Sequence, residues 1–87
     1  MIARLEARAG ATLRQRDVRY FLLPHQGALH AVPDACSHRG GPLSKGHVDA
    51  CRGVVVCPMH GLPTRIATLL VQALPMVRVG AEARVVT

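Results

Sequence analysis

The sequence is poor in aromatic residues, with one phenylalanine, one tyrosine and no tryptophan among 87 residues. Large ring side chains therefore contribute little to the core, which must be built mainly from valine, leucine and alanine. A chain of this length buries only about 60–65% of the surface that its unfolded form exposes, so its core is thin. Small domains of this kind often gain stability from a disulfide, a metal or a partner. We expect one domain over residues 1–87.

Long apolar runs, a signal peptide and an even number of cysteines are also absent. The longest apolar stretch, "IATLLVQALPMV", is interrupted by Gln72 and Pro75, and no run approaches the ~20 residues needed to cross a bilayer. The N-terminal "MIARLEARAG" lacks the apolar core and cleavage site of a secretory signal. Three cysteines argue against a disulfide framework. These absences predict a cytoplasmic protein without a membrane segment.

Acidic residues are scarce: five Asp and Glu stand against eleven Lys and Arg, which gives a formal net charge of +6. This excess predicts either an ordinary solvated basic surface or a docking surface for an acidic protein partner. Nucleic acid is not an expected partner, because bases stack on aromatic side chains and the chain has almost none. Five arginines lie within the first twenty residues: Arg4, Arg8, Arg14, Arg16 and Arg19.

Short β-branched runs separated by turn residues dominate the chain. They predict strands at residues 18–23, 28–32 and 52–57, and a closing hairpin at 75–79 and 83–87 with its turn at 80–82. Pro33 and Asp34 end the second of these strands just before Cys36. Residues 1–10 and 64–74 fit either a helix or a strand. Together, the short strands and frequent turns predict an all-β fold.

Two short segments each bring a cysteine and a histidine close together. The segment "CSHRGGPLSKG" contains Cys36 and His38, and "CPMHG" contains Cys57 and His60. Four soft or borderline ligands in two close pairs indicate a metal site. A zinc finger usually pairs like ligands within one segment. A cysteine and a histidine on each segment instead suit a site with two metal ions, both reached by each segment.

These segments, with the preceding "GALHAVPDA", resemble those of Rieske-type ferredoxins, which carry a two-iron, two-sulfur cluster. The resemblance is close over residues 18–61 and looser at "LPMVRV" and "ARVVT". It implies a small antiparallel β-sandwich with two cluster-binding loops, at residues 36–46 and 57–61. It also implies that Cys36 and Cys57 bind one iron of a Rieske 2Fe-2S cluster, and that His38 and His60 bind the other.

The resemblance further implies a function in one-electron transfer. The protein would accept an electron from a reductase, such as a flavoprotein, and pass it to a terminal oxygenase or another redox enzyme, without being an enzyme on its own account. Two alternatives stay open. One is a structural or interaction module that binds zinc through the same four residues, and the other is a non-catalytic accessory subunit of a larger redox complex. Colour distinguishes the electron carrier from the zinc module, because a Rieske protein is red-brown and a zinc protein is colourless.

Several neighbouring residues have predicted roles within this resemblance. Respiratory Rieske proteins carry an extra loop disulfide, but the matching positions here are Gly41 and Met59, which favours a lower, ferredoxin-like potential. The segment "GLPTRIATLL" replaces the aromatic residue and Phe-containing strand that commonly follow the second histidine, so we expect a shortened hairpin there. Gly40, Gly41 and Gly61 are expected to allow close backbone approach, and Pro42 and Pro58 to stiffen the loops.

The remaining candidates have predicted roles outside the cluster. Cys51 lies between the two pairs and is expected to be a thiol without a role. His25, His30 and His47 are expected at the surface, with His47 near the first loop. Met59 is expected either to cap the cluster or to fill the core, and Gly46 to be free to adopt a positive φ.

Overall fold

The structure is a computed structural model that describes residues 2–35, 42–59 and 61–86. Within these ranges, nine strands form three antiparallel sheets of three strands each. The same ranges contain one short helix, α1 (Ile66–Val71), and one 3-10 turn (Leu43–Lys45). No helix in the described part of the chain is long and apolar enough to cross a membrane. The all-β prediction is confirmed.

The central sheet consists of β2 (Thr12–Gln15), β3 (Val18–His25) and β4 (Ala28–Pro33), in that order. The β3 residues Phe21, Leu22 and Leu23 are all buried. Successive side chains of a strand point to opposite faces of its sheet. Phe21 and Leu23 accordingly enter one apolar cluster, whereas Leu22 enters a second cluster on the other face. The central sheet is thus the middle layer of the molecule.

One outer sheet has the order β1 (Ile2–Glu6), β9 (Glu82–Val86) and β8 (Met76–Val79). Ala83 and Val85 of β9 are buried in the second cluster, together with Leu22 of the central sheet. Residues 2–6, which fitted either a strand or a helix, form an edge strand because their alternating apolar side chains cover this cluster. The closing hairpin is confirmed, and its turn contains Gly80 at a φ of +60°.

The other outer sheet has the order β5 (His47–Asp49), β6 (Val54–Val56) and β7 (Pro63–Arg65), and α1 follows β7 directly. Val55 of β6 packs in the first cluster with Ile66 and Leu69 of α1. This helix resolves the ambiguity of residues 64–74: a three-residue spacing puts Ile66 and Leu69 on one helical face. The predicted strand at 52–57 is observed as β6, with a shorter extent.

The β3–β4 hairpin is also confirmed, but β3 continues two residues beyond the predicted end. Its turn is limited to Gln26 and Gly27, whose φ values of +51° and +78° suit a two-residue hairpin. Pro24 therefore lies inside the strand. It is tolerated there because β2 pairs with β3 only as far as Phe21, which leaves Pro24 with a single neighbouring strand.

Candidate metal centre

The described residues include one of the four predicted cluster ligands, Cys57. Cys36, His38 and His60 lie outside the described residues, and their ligand roles stay predictions, as do the roles of Gly40 and Gly41. Within the described ranges alone, no group of three or more His, Cys, Asp or Glu side chains could hold a metal ion. The structure does show the segments that begin and end each loop, and these determine where the ligands are presented.

Cys57 follows β6 directly and is fully buried. It belongs to the first apolar cluster, where Val55 and Leu43 are also buried. The main-chain hydrogen bonds of Cys57 close the second loop: its N–H donates to the Leu62 carbonyl at 3.0 Å, and its carbonyl accepts from the Gly61 N–H at 2.8 Å. These bonds hold Cys57, the first predicted ligand of this loop, at a fixed backbone position in the core.

Two further residues of this loop can be compared with their predicted roles. Gly61 has a φ of +65°, a conformation that glycine adopts without a Cβ clash. Met59 is 70% exposed, so the expectation that it fills the core is wrong. The neighbouring Pro58 is exposed as well, so the described residues that directly follow Cys57 lie at the surface.

A buried carboxylate closes the first loop at its base. Asp34 lies just beyond β4, and its Oδ1 accepts from the Ser44 N–H at 2.7 Å, while its Oδ2 accepts from the Ser44 hydroxyl at 2.7 Å. The Arg19 Nε lies 2.9 Å from the same Oδ2. Because the Asp34 side chain is completely buried, these contacts replace its lost hydration. Asp34 therefore ties the segment just before the first loop to Ser44, near the end of that loop.

Sequence reasoning missed the role of Asp34. The sequence indicates only the end of a strand at Asp34, because aspartate after proline is a common turn signal. Its partners lie fifteen residues earlier, at Arg19, and ten residues later, at Ser44. The register of β3 and β4 brings Arg19 opposite Asp34, whose N–H donates to the Arg19 carbonyl at 2.7 Å. No local sequence pattern around Asp34 predicts these partners.

The end of the first loop is anchored in the same core as Cys57. Leu43 begins the 3-10 turn and is buried in the first apolar cluster. The turn is closed by hydrogen bonds from the Lys45 N–H to the Pro42 carbonyl, at 3.1 Å, and from the Gly46 N–H to the Leu43 carbonyl, at 2.9 Å. Leu43 and Cys57 thus fix parts of both loops to one apolar cluster.

Gly46 provides a second link between the loops. A Cβ at this position would collide with the carbonyl oxygen of Val56, the residue that precedes Cys57. Gly46 does not use the freedom of glycine to adopt a positive φ, since its φ is −87°. Glycine is needed here for space: the backbone leaving the first loop lies directly against the strand that enters the second.

Cys51 and His47 are both at the surface, and His47 directly follows the first loop. Cys51 is exposed in the turn that joins β5 to β6, away from the buried position of Cys57. His47 is exposed on β5, opposite Val56 of β6. The surface position of His47 matches its prediction, and the absence of a role for Cys51 stays a prediction.

Basic side chains gather beside the base of the first loop. Arg14 of β2 lies directly opposite Arg19 of β3, and Arg16 lies in the turn that joins these strands. All three side chains are exposed at their outer ends, while Arg19 also contacts the buried Asp34. We call Arg14, Arg16 and Arg19 the basic group. Arg4 and Arg8, the other N-terminal arginines, lie on and just after β1 in a different sheet.

The donor set itself fits an iron–sulfur cluster. Two cysteines and two histidines supply thiolate and imidazole ligands, and a Rieske centre takes two of each. The buried Cys57 position, the closed second loop and the clamped base of the first loop all suit a rigid site. The zinc alternative uses the same donors, so the choice between them depends on comparison with known proteins.

A family model described as the Rieske [2Fe-2S] domain matches residues 3–78. A Rieske domain-containing protein of Homo sapiens is 36% identical over 63 residues, which make up 70% of this chain and 39% of that protein. A 4beta-methylsterol monooxygenase of Methylococcus capsulatus is 54% identical over 35 residues, which make up 40% of this chain and 9% of that protein. The chain thus spans much less than two thirds of either curated relative.

Among solved structures, the ferredoxin of carbazole 1,9a-dioxygenase from Nocardioides aromaticivorans IC177 has a similar fold. The TM-score is 0.62, the match covers 94% of this chain and 95% of that one, and the sequences are 19% identical. The two chains therefore share their overall fold.

Proposed function

Because the chain belongs to the Rieske [2Fe-2S] domain family, we propose that it is an electron carrier that transfers one electron at a time between protein partners. The predicted family, fold class and cofactor, a Rieske 2Fe-2S cluster, are confirmed by the family match and by the ferredoxin fold. The observation that carries the proposal is that the matched residues, 3–78, include all four predicted ligands.

For the ligands we keep the assignment that the resemblance implies. Cys36 and Cys57 would hold one iron, and His38 and His60 the other. When bound, such a cluster supplies one-electron redox chemistry at a potential of about −150 to +300 mV, above the ≈ −400 mV of all-cysteine plant-type ferredoxins.

The protein's own contribution is to hold the two loops rigidly. Asp34 closes the base of the first loop, while Leu43 and Cys57 attach both loops to the first apolar cluster. A site held in place before it reacts needs little rearrangement when its charge changes. Burial of Cys57 also keeps water from the core side of its thiolate. Since the three sheets share two core clusters, we propose that residues 1–87 act as a single domain.

The kinds of protein that are similar support the proposed direction of electron transfer. One is the ferredoxin of a dioxygenase and another is a monooxygenase, which supports a terminal oxygenase or a similar enzyme as the electron acceptor. A flavoprotein reductase is the proposed donor. The chain would then be a component of an oxidoreductase system rather than an enzyme by itself. A cytoplasmic location stays a prediction.

The basic group is the proposed docking surface for an acidic redox partner. Arg14, Arg16 and Arg19 lie beside the base of the first loop, so a partner bound there would lie close to the cluster loops. Like-signed charges on one surface accelerate encounter with an oppositely charged protein, and salt weakens this effect.

The function is tested with protein purified without air. Iron, acid-labile sulfide and zinc are assayed on one sample, and optical and EPR spectra are recorded before and after dithionite. We expect about two irons and two sulfides per chain and a Rieske-type EPR signal on reduction. A colourless protein with one zinc and no reducible signal would instead establish the zinc module.

A further inference from the structure

The outward surface of the β1-β9-β8 sheet carries exposed apolar side chains that no described part of the chain covers. We call this surface the outer face. Of the eight exposed large apolar side chains within the described residues, four lie here: Ile2 (57% exposed), Val77 (60%), Val79 (47%) and Val86 (44%). Apolar side chains gathered on one sheet face, among charged ones, mark an interaction surface better than scattered ones do.

Charged side chains on the outer face are arranged in two rows of opposite sign. The register of β1 and β9 places Arg4 directly opposite Arg84, and Glu6 directly opposite Glu82. On the far side of β9, β8 adds one valine to each row. The arginine row contains Arg4, Arg84 and Val77, and the glutamate row contains Glu6, Glu82 and Val79.

Like charges directly opposite each other destabilise a sheet, and contacts within the chain compensate only part of this. Arg84 Nε lies 2.9 Å from Glu82 Oε2, with both side chains about two-fifths exposed. Glu6 pairs with the exposed Arg8. Within the described residues, Arg4 makes no ion pair. An opposing surface that carried the same two rows in the reverse order would satisfy every charge.

A second copy of this chain is such a surface. We propose that two copies associate through their outer faces, related by a two-fold axis that lies in the interface, perpendicular to the strands and between the two rows. This rotation places the arginine row of each copy over the glutamate row of the other. Arg84 then faces Glu82, Arg4 faces Glu6, and Val77 faces Val79. An axis parallel to the strands would instead place like charges together, so the charge pattern selects one arrangement.

The dimer is expected to be weak and to leave the cluster loops free. Three strands about 4.8 Å apart and five residues long give a face of about 14 by 17 Å, far below the ~800 Å² per partner of a standard interface. The outer face lies on the opposite side of the central sheet from the cluster that contains Cys57. Redox partners could therefore reach both copies while they are associated.

Sedimentation velocity of the purified chain, from micromolar to millimolar concentration, tests the proposal. We expect the average mass to rise from monomer towards dimer with concentration, and the rise to lessen in high salt. A wild-type chain that stays monomeric over the whole range overturns the proposal, and so does a larger assembly that does not stop at two copies.

Charge exchange tests the predicted arrangement directly. One variant carries Arg4→Glu and Arg84→Glu, and a second carries Glu6→Arg and Glu82→Arg. In each variant both rows carry charges of the same sign, so two copies of one variant repel each other and should stay monomeric. An equimolar mixture brings opposite charges together and should associate at least as strongly as the wild type. Melting curves confirm that both variants are folded. If the mixture associates no better than its components, the row-on-row arrangement is wrong.

A pair of valine variants shows whether the outer face is the surface involved. Val77→Asp introduces a charge on the outer face, and Val71→Asp introduces the same charge on the exposed side of α1, in another part of the molecule. We expect Val77→Asp to weaken association at least tenfold and Val71→Asp to leave it unchanged. Equal effects would mean that the copies associate through some other surface.

Discussion

Asp34 and Ser44 join the two ends of the first cluster loop through both oxygens of one carboxylate. Oδ1 accepts the Ser44 N–H and Oδ2 accepts its hydroxyl, each at 2.7 Å, and Arg19 approaches Oδ2 at 2.9 Å. Hydrogen bonds to an ionised group are shorter and stronger than neutral ones. The separation of the loop ends is thus determined by the protein, which reduces the conformational entropy that cluster binding must overcome.

The first prediction concerns the charge of Asp34. Asp34→Asn keeps the shape of the side chain but removes its negative charge, and its amide group brings donors towards Ser44 and Arg19, which are themselves donors. We expect the free energy of unfolding to fall by about 2 kcal/mol, because the two Ser44 donors lose a charged, buried acceptor. The Arg19 ion pair contributes less, since the Arg19 side chain is 44% exposed. Iron should also be released faster to a chelator. Denaturant melts and the chelation rate measure the two effects.

Asp49→Asn is the matched control for this substitution. Asp49 accepts one exposed hydrogen bond, from the Arg52 N–H at 3.2 Å, in the turn after β5. Its replacement should cost less than about 1 kcal/mol and leave iron release unchanged. Comparable losses in the two variants would mean that Asp34 has no special role at the loop.

The sequence predicts those parts of the fold that local pattern determines. The β3–β4 hairpin is evident because β-branched and apolar residues flank the turn residues 24–27, although the turn itself contains only Gln26 and Gly27. The Cys and His pairs are evident because ligand spacing is a local property. The contacts of Asp34 with Ser44 and Arg19 are not evident from the sequence, because the register of β3 with β4 and the path of the loop bring these residues together.

The shortest strands and the helix α1 are hard to predict from the sequence for a related reason. The strands β5 and β7 contain three residues each, too few to show a period of two. The segment after β7 was ambiguous because "IATLLV" is apolar at spacings that suit both structures. It forms a helix because Ile66 and Leu69 fill the cluster beneath β4 and β6. Glycine at position 46 likewise suggests a need for backbone freedom. In the structure it is needed because the neighbouring Val56 carbonyl leaves no space for a Cβ.

The second prediction concerns that constraint. In Gly46→Ala the new methyl group collides with the Val56 carbonyl oxygen, so either the first loop or β6 must move. We expect a loss of about 3 kcal/mol in unfolding free energy, together with a lower iron content, because the displaced elements carry the two cluster loops. Urea melts and iron analysis provide the measurements.

Gly53→Ala separates this collision from a general intolerance of alanine. Gly53 has a φ of +64° and no atom near its absent Cβ, so the cost there is backbone strain alone, about 1 kcal/mol. Iron content should match the wild type. A Gly46→Ala variant as stable and as iron-rich as Gly53→Ala would contradict the proposed contact between the loops.

The third prediction tests the apolar cluster that supports Cys57. Leu69→Ala removes a buried side chain from this cluster, and Val71→Ala truncates an exposed one on the same helix. The first should cost about 2–4 kcal/mol, since the cavity adds to the lost burial, and the second less than about 0.5 kcal/mol. Thermal melts of the two proteins would show equal stability if α1 did not pack on the core.

The last prediction concerns the two cysteines that the structure describes. Cys57→Ser replaces the buried thiol at the start of the second loop, whereas Cys51→Ser changes an exposed thiol in the β5–β6 turn. Serine is a poor substitute because soft thiolates are the ligands that iron–sulfur clusters select. We expect Cys57→Ser to lose the red-brown colour and most of its iron, and Cys51→Ser to keep both. A cluster of unchanged iron content and EPR signal in Cys57→Ser would exclude this residue as a ligand. Loss of iron in Cys51→Ser would instead bring that thiol into the site, so the pair of variants identifies which cysteine serves the cluster.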